Sequence, residues 1–277
     1  MPKESNKKNS NAGATIAQLA DRHEYYEKAV QCVEAEIDIV DETYKSIRGK
    51  RAKRLREDFC GTANTSCEWI RRRKTNSAIG LDLDQSVLDW GIANNLSKLN
   101  QQQRDRIILK NSNVLIGHDD LVDAILAMNF SYQLFKTRDQ LRQYFSIARE
   151  GLKPDGLFFI DAYGGYESYK TVKEKTKYDN FTYYWHQKKY NPITGDMLCH
   201  IHFKFRDGSK MKKAFTYDWR LWTLPELREI LQEAGFTKST VYWEGTDEES
   251  GEGNGKYSPT EKGDDDPSWI AYVVAEK

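Results

Sequence analysis

The sequence of 277 residues contains little cysteine and proline and has no excess of either charge. Its 4 cysteines form no Cys-x-x-Cys pair, so the commonest spacing of zinc and disulfide-exchange motifs is absent. The 42 basic and 42 acidic residues cancel, so no overall field favours nucleic acid or a membrane surface. No apolar run is long enough to span a bilayer, and the polar N-terminus lacks a secretory core. We therefore expect a soluble, cytoplasmic protein with reduced thiols.

Apolar residues make up 39% of the chain and aromatic residues 12%, which is sufficient for a packed core. Residues 1–16 are polar and predicted to be a disordered tail, whereas residues 17–277 are predicted to form a single domain. Apolar residues recur at helical spacing within residues 17–48, which predicts an N-terminal helical cap.

Strands and helices alternate through residues 50–162, which predicts a mostly parallel, doubly wound α/β sheet. The pattern then changes, because residues 163–222 contain three aromatic-rich strand candidates separated by turn-forming residues. This segment is predicted to be an antiparallel insertion. Residues 223–277 are predicted to contain a helix and two strands, with a mobile acidic loop at 245–266 between the strands.

The most informative segment is LREDFCGTA, residues 55–63, where two carboxylates precede small residues at a predicted strand-to-helix turn. Small residues around Gly61 allow the backbone to approach a ligand closely, although a purely structural turn is equally compatible with them. About twenty residues later, Asp82 follows a buried strand, the position at which an acid binds ribose hydroxyls in dinucleotide-type folds. Helix capping is the alternative for both Asp82 and Asp84, and it is favoured for Asp84.

Four segments together resemble class I (Rossmann-like) S-adenosylmethionine-dependent methyltransferases. They are LREDFCGTA at 55–63, IGLDLD at 79–84, DAILAMNFSY at 123–132 and AREGLKPDGLFFID at 148–161. The resemblance implies a seven-stranded sheet with an antiparallel last strand, the antiparallel insertion following the fifth strand. It also implies methyltransferase activity, with S-adenosyl-L-methionine as cofactor and S-adenosyl-L-homocysteine as product.

The chain departs from the family at two glycines of the first motif, where it has Phe59 and Ala63. Two acids, Glu57 and Asp58, stand side by side, and the family register favours Glu57 as the residue facing the ligand. The substituted glycines leave open a non-catalytic homologue that binds the cofactor without using it.

The resemblance assigns roles to individual residues. The methionine end of the cofactor would lie against Glu57, Phe59, Gly61 and Ala63; the ribose against Asp82; the adenine against Leu83, Asn113 and Val114; and the reacting methyl group against Met128 and Asn129. Ordinary core packing is the alternative for Met128. No metal ligand is expected.

Two further residues are candidates for a part in catalysis beside Asn129. Tyr25, with Tyr26, is predicted to fold over the cofactor as a lid, and anchoring a helix in the core is its alternative. His200 is a candidate general base; it shares a strand face with His202, and packing is the commoner role of such histidines.

We expect transfer of a methyl group to nitrogen or oxygen of a small polar metabolite by in-line displacement, which requires alignment and exclusion of water rather than a catalytic dyad. The alternative acceptor is RNA, cap-like or base, because lysines alternate with aromatic residues in the insertion. Free strand edges would allow a homodimer, and no membrane partner is expected.

Overall fold

The computed structural model describes residues 13–117, 120–251 and 253–277. The predicted disordered tail lies outside the described residues as far as residue 12. Its last residue, Ile16, begins the first helix.

Helices of the described chain are numbered in order. They are α1 (Ile16–Leu19), α2 (Arg22–Val30), α3 (Val33–Arg48), α4 (Asn64–Arg72), α5 (Gln85–Asn94), α6 (Gln101–Arg104), α7 (Arg138–Glu150) and α8 (Leu224–Glu233). None of these helices is long and apolar enough to cross a membrane.

The strands divide into two sheets. They are β1 (Arg54–Asp58), β2 (Ser77–Asp82), β3 (Ile107–Asn111), β4 (Val122–Ala127), β5 (Leu152–Gly164), β6 (Val172–Lys177), β7 (Phe181–Tyr190), β8 (Asp196–Phe205), β9 (Lys210–Arg220), β10 (Lys238–Thr246), β11 (Gly253–Thr260) and β12 (Trp269–Glu276). The main sheet has the order β11-β10-β12-β5-β4-β1-β2-β3, and the insertion sheet has the order β6-β7-β8-β9.

The main sheet confirms the predicted fold class. Its strands β3, β2, β1, β4 and β5 are parallel, and β12, the last strand, runs antiparallel between β5 and β10. Helices cover both faces: α7 and α8 pack on one, with Phe145 and Ile230 in its core, and α3 and α4 pack on the other, with Val40 and Trp69 in its core.

The sheet has eight strands rather than the predicted seven, because part of the segment predicted to be a mobile loop forms β11. This strand pairs with β10, and the Tyr257 ring packs edge-on against Tyr272 at 4.7 Å between ring centroids. The Glu244 carboxylate accepts hydrogen bonds from Gly255 N–H at 2.8 Å and from the Tyr257 hydroxyl at 3.3 Å. Two aromatic anchors thus outweigh the polar, glycine-rich composition on which the loop prediction rested.

The insertion sheet has four antiparallel strands where three were predicted, the additional one being β6. Apolar side chains of α1 and α2 pack against Phe181, Ile201 and Phe203 of this sheet. The N-terminal helices and the insertion therefore lie together over the carboxyl ends of the parallel strands, which positions them as walls of a site there.

Candidate functional site

The loop that joins β1 to α4 adopts an unusual backbone conformation. Phe59, Gly61 and Ala63 all have left-handed φ angles, of 58°, 52° and 56°. For a residue with a side chain this conformation costs roughly 1–2 kcal/mol, which explains why the family has glycine at the positions of Phe59 and Ala63. The chain therefore retains the shape of the motif although it lacks two of the glycines.

Hydrogen bonds hold this loop against its neighbours. Cys60 N–H donates to the Leu81 carbonyl at 2.9 Å, and the Glu27 carboxylate of α2 accepts from the Thr62 hydroxyl at 2.5 Å and from the Asn95 side-chain amide at 2.6 Å. Gly91 of α5 is required where it stands, because a Cβ atom there would lie 2.4 Å from the Thr62 carbonyl oxygen. The loop is thus clamped between α2 and α5.

The two acids at the end of β1 have different surroundings. Glu57 is buried and accepts hydrogen bonds from the Ser66 backbone N–H at 2.9 Å and the Ser66 hydroxyl at 2.5 Å. Burial raises the pKa of Glu57 to about 8, against the lowering effect of these hydrogen bonds. Asp58 instead forms a buried ion pair with Arg56, at 2.8 and 3.1 Å, and accepts from the Tyr144 hydroxyl at 2.9 Å. Asp58 is therefore already neutralised, whereas Glu57 has no cationic partner among its hydrogen bonds in the described chain.

Asp82, at the end of β2, connects the second strand to the same loop. Its carboxylate accepts from Gly61 N–H at 2.8 Å and from Asp84 N–H at 2.9 Å. Asp84 caps α5 by accepting from the Ser86 backbone N–H at 3.0 Å and the Ser86 hydroxyl at 2.6 Å. The helix-capping alternative therefore applies to Asp84 and not to Asp82.

A second strained loop follows β4. Asn129 and Phe130 have consecutive left-handed φ angles of 56° and 57°, and their N–H groups donate to the Asp161 carboxylate of β5 at 2.7 and 2.8 Å. Burial raises the pKa of Asp161 to about 7, against the lowering effect of these two bonds. Left-handed residues that are held by such contacts cluster at ligand sites and active sites. Asp161 thus fixes the position of Asn129 and Phe130, directly after Met128.

Two adjoining cavities lie over these loops. The strand-end cavity, about 380 Å³, is lined by Arg22, His23, Tyr26, Gln31, Glu57, Asp58, Phe59, Cys60, Gly61, Thr62, Asp82, Asp84, Val87, Met128, Asn129, Ser131, Leu134, Phe215, Tyr217 and Trp219. The aromatic cavity, about 230 Å³, is lined by Tyr26, Val30, Asn129, Phe130, Tyr163, Glu167, Ser168, Val172, Glu174, Tyr183, Trp185, Gln187, Ile201, Tyr217, Trp219, Ser268 and Ile270. Both linings include Tyr26, Asn129, Tyr217 and Trp219, so these four residues form the boundary between the cavities.

A larger groove of about 800 Å³ lies between α8 and strands β10 to β12. It contains none of the motif residues, so the candidate site is assigned to the two smaller cavities.

The strand-end cavity brings together six of the predicted site residues: Glu57, Phe59, Gly61, Asp82, Met128 and Asn129. Ala63 is buried at the start of α4 beneath the loop. The three residues predicted to hold the adenine do not line the cavity. Leu83 is exposed, the Asn113 side chain accepts from Leu115 N–H at 2.9 Å, and Val114 lies in the core.

Tyr25 does not reach either cavity. Its ring packs edge-on against Phe181 and Phe205, at 4.9 and 5.0 Å between centroids, which is the helix-anchor alternative. Consecutive residues of a helix point about 100° apart, so Tyr26 faces the cavities in its place. Of the two tyrosines predicted to fold over the cofactor, only Tyr26 borders the cavities of the described chain.

The structure also places His200 away from the site. Side chains alternate along a strand, so Ile201 faces the aromatic cavity while His200 and His202 point to the outer face of the insertion sheet. The predicted role of His200 as a general base is corrected accordingly. Among the described residues, no group of three or more His, Cys, Asp or Glu side chains is arranged to hold a metal ion.

The residues that the sequence did not single out come mainly from the insertion. Tyr217 and Trp219 of β9 stand at the boundary of the cavities, and the hydroxyls of Tyr26 and Tyr217 are hydrogen-bonded to each other. Tyr217 and Trp219 belong to the aromatic pattern of the third predicted strand of the insertion. The pairing of β9 with β8 decides which face of that strand points toward the cavities.

Comparison with known proteins supports the fold assignment. No protein-family model matches the sequence. A Bacillus subtilis (strain 168) protein named "Putative methyltransferase YqeM" is 22% identical over 203 residues, which are 71% of this chain and 78% of that protein.

Solved structures resemble the chain over most of its length. An S-adenosylmethionine-dependent methyltransferase from Clostridium acetobutylicum ATCC 824 has a TM-score of 0.67 at 16% identity and covers 92% of this chain and 96% of its own. An amino pentose methyltransferase from Micromonospora echinaspora, solved with S-adenosylmethionine bound, has a TM-score of 0.64 at 14% identity and covers 92% and 95%. A sugar N-methyltransferase from Streptoalloteichus sp ATCC 53650 has a TM-score of 0.61 at 14% identity and covers 100% and 98%. On strand order, insertion and these likenesses, the chain has the fold of the class I S-adenosylmethionine-dependent methyltransferases.

Proposed function

We propose that the protein is a methyltransferase that binds S-adenosylmethionine in the strand-end cavity. The observation that carries the proposal is the clustering of Glu57, Asp82 and the left-handed loop around Gly61 at the carboxyl ends of parallel strands. In open α/β sheets this edge is where nucleotide-like ligands bind. A structural neighbour solved with S-adenosylmethionine bound adds support.

The cavity residues fit the chemistry of this cofactor. Glu57, without a cationic partner of its own, would face the charged methionine end, and Phe59, Gly61 and Ala63 shape the loop beside it. Asp82 would accept hydrogen bonds from ribose hydroxyls while it holds Gly61. The proposed neighbours of the adenine are still Leu83, Asn113 and Val114. Because these residues do not line the strand-end cavity, the cofactor would have to extend beyond it.

The aromatic cavity is the proposed acceptor site. It adjoins the strand-end cavity at Tyr26, Asn129, Tyr217 and Trp219, and its volume of about 230 Å³ suits a small molecule or the end of a larger one. Its wall combines rings such as Trp185 and Tyr163 with the carboxylates of Glu167 and Glu174. Rings and carboxylates together favour a cationic group, so we infer an amine-bearing acceptor and N-methylation. The sugar and amino pentose methyltransferases among the neighbours support this inference.

The proposed reaction is an in-line displacement. When bound, S-adenosylmethionine supplies an electrophilic methyl group. The side chains at the boundary of the cavities would align the acceptor nitrogen and keep water out. An amine arrives as ammonium and must lose a proton before it can attack. Glu174 borders the aromatic cavity close enough to raise the pKa of Tyr163 and Tyr183, which makes its carboxylate the group proposed to accept that proton.

RNA is a weaker candidate acceptor on this geometry. Among the lysines of the insertion that suggested it, Lys173 pairs in register with the outward-facing His186, and no lysine of the described chain lines the aromatic cavity. We retain the predicted cytoplasmic location and homodimer as part of the proposal. The edge strands β3, β6, β9 and β11 offer pairing surfaces for a second chain, and sedimentation of the purified protein tests the dimer.

The first test is calorimetric titration of the protein with S-adenosylmethionine, with NADH and ATP as controls. We expect selective binding, and Asp82→Ala should weaken it by roughly 1–3 kcal/mol because ribose hydrogen bonds to a carboxylate are lost. Asp89→Ala, which removes an exposed carboxylate of α5 that does not line the cavity, is the matched control. Binding of NADH, or of none of the three, would overturn the proposal. A labelled-methyl screen of amines, alcohols and RNA then identifies the acceptor, and binding without transfer to any of them would favour a non-catalytic homologue.

A further inference from the structure

The outer face of the insertion sheet carries a cluster of three imidazoles that the proposed reaction does not use. His186, His200 and His202 lie with their ring centroids 5.7 to 6.1 Å apart. His186 and His200 are paired directly across β7 and β8, and His202 is two residues further along β8. The cluster is therefore built into the strand register rather than into a loop.

Two of these rings have a buried nitrogen without a partner. In the described chain, neither His200 Nε2 nor His202 Nε2 has a hydrogen-bond partner, although both atoms are buried and His200 is only 4% exposed. An unsatisfied buried polar atom is costly, and each one in a folded protein calls for a physical reason such as an unseen ligand.

The hydrogen bonds of the other ring nitrogens make at least one of these atoms a donor. Lys213 is in a left-handed bulge, with φ of 51°, and its backbone N–H donates to His202 Nδ1 at 2.9 Å. The neutral ring must then carry its proton on Nε2. His200 Nδ1 lies 3.0 Å from the Thr216 hydroxyl, which can fix the same tautomer by donating to it. A nitrogen that carries a proton cannot bind a metal, so the arrangement suits an acceptor.

The charges around the cluster are positive. The groups in the described chain that act electrostatically on the three imidazoles are Lys173, Lys188 and Lys213 and the imidazoles themselves. Burial, with Lys173, Lys213 and the other two imidazoles, lowers the pKa of His202 to about 4, so this ring stays neutral at ordinary pH. Among the described residues, the groups that act most strongly on these imidazoles include no carboxylate. Lysines beside N–H donors that have no partner complement an anion with several acceptor oxygens.

We propose that this cluster is a binding site for a phosphate group, separate from the methyl-transfer site and on the opposite face of the same sheet. His202 Nε2–H, and His200 Nε2–H in the corresponding tautomer, donate to the phosphate oxygens, and Lys173, Lys188 and Lys213 supply the opposing charge. The source of the phosphate, a free or small-molecule phosphate or the backbone of a nucleic acid, is distinguished by experiment.

The test is a titration of the full chain with inorganic phosphate at constant ionic strength. The imidazole nitrogen resonances in NMR spectra are the readout, and chloride is the control anion. We expect saturable shifts of His200 and His202. His202→Phe, which keeps a ring and removes the donor, should weaken phosphate binding by about tenfold or more. Lys173→Ala should also weaken it, whereas Lys177→Ala, on the same face of β6 but absent from the groups that act on the imidazoles, should not.

Lys173→Ala alters an exposed side chain, so it tests the site even if His202→Phe fails to fold. Equal shifts with chloride, equal losses in Lys173→Ala and Lys177→Ala, or no saturable shift would each overturn the proposal. Competition by single-stranded RNA that disappears in Lys173→Ala identifies a nucleic-acid backbone as the source, and binding of phosphate without such competition identifies a small phosphate. None of these readouts requires methyl transfer, so the result is independent of the proposed function.

Discussion

At the scale of single residues, the site depends on two non-glycine residues with the left-handed backbone conformation that glycine usually adopts. Ala63 has φ of 56° and is fully buried, and Phe59 has φ of 58° with its ring packed on Tyr144 at 5.5 Å between centroids. Packing of these side chains offsets part of the conformational cost, which is why the loop can keep its form without the glycines.

Replacing Ala63 with glycine tests this interpretation. Relief of the left-handed strain, roughly 1–2 kcal/mol, opposes the loss of about 0.5–1 kcal/mol from the greater freedom of glycine in the unfolded chain. We expect the free energy of unfolding in urea to be unchanged or to rise by up to ~1 kcal/mol. Ala124→Gly, at an equally buried position in the regular strand β4, should lower it by about 1 kcal/mol or more. Equal losses in the two variants would show that Ala63 is not strained.

The two neighbouring tyrosines of α2 give a second comparison at this scale. Tyr26 borders both cavities and shares a hydrogen bond with Tyr217, whereas Tyr25 packs among phenylalanines. Tyr26→Phe should lower the rate of labelled-methyl transfer by roughly 3- to 10-fold because one hydrogen bond at the boundary of the cavities is lost. Tyr25→Phe should leave the rate unchanged. If the two variants lose activity equally, the structural distinction between these residues is wrong.

At the scale of elements, α2 is attached to the loop between β1 and α4 and to α5 through a few polar contacts. The Asp21 carboxylate accepts from the Trp90 indole N–H at 2.6 Å, and Glu27 accepts from Thr62 and Asn95. No residue of α2 is fully buried, so these polar contacts and the packing on the insertion sheet hold it in place.

Glu27→Ala should therefore release α2 from the loop. It leaves the Thr62 hydroxyl and one hydrogen-bond donor of Asn95 without their partner, which should lower the free energy of unfolding by roughly 1–3 kcal/mol. It should also weaken S-adenosylmethionine binding, since α2 supplies Arg22, His23 and Tyr26 to the cavity wall. Limited proteolysis and calorimetry measure the two effects. Glu24→Ala is the control, because the exposed Glu24 side chain pairs with the exposed Lys28 on the same helix. Matching effects in both variants would contradict the proposed attachment.

The sequence allowed prediction of most elements but not of the residues that depend on their packing. The parallel sheet and the insertion followed from strands that alternate with helices. Asp82 was proposed from its place at a strand end and Asn129 from the family resemblance, and both line the strand-end cavity, although their roles stay predictions. No role was predicted for Asp161, because its partners Asn129 and Phe130 are 32 and 31 residues away along the chain. The inward faces of α2 and β9 depend on tertiary contacts, which is why the sequence did not separate Tyr26 from Tyr25 and did not single out Tyr217.

At the scale of the whole molecule, two buried carboxyl groups should make stability depend on pH. The pKa of Glu57 is raised from 4.5 to about 8 and that of Asp161 from 3.8 to about 7, both chiefly by burial. At these two groups the folded protein thus binds a proton more tightly than the unfolded chain does. Their stabilising contribution is complete below pH 4 and is lost as the pH rises toward 8.

We therefore expect the melting temperature of the ligand-free protein to fall between pH 6.5 and pH 8. Below pH 6.5 the lowered pKa of His202 acts in the opposite direction. Glu57→Gln, which fixes an uncharged group of the same shape, should make this dependence shallower, and Glu34→Gln, an exposed glutamate of α3, should not change it. Calorimetric scans over this range provide the measurement. A melting temperature that rises toward pH 8 in the native protein would mean that Glu57 and Asp161 are ionised when folded.

The left-handed turn at Phe59, Gly61 and Ala63 has a consequence for how such proteins are recognised. This loop keeps a main-chain path that glycine adopts most easily, although phenylalanine and alanine occupy two of its three left-handed positions. A sequence search that requires glycine at these positions will miss chains in which alanine or phenylalanine adopts the same backbone conformation. A search that scores the acid at the strand end together with the turn geometry will find such chains. It will therefore recognise methyltransferase folds that lack the glycine-rich motif.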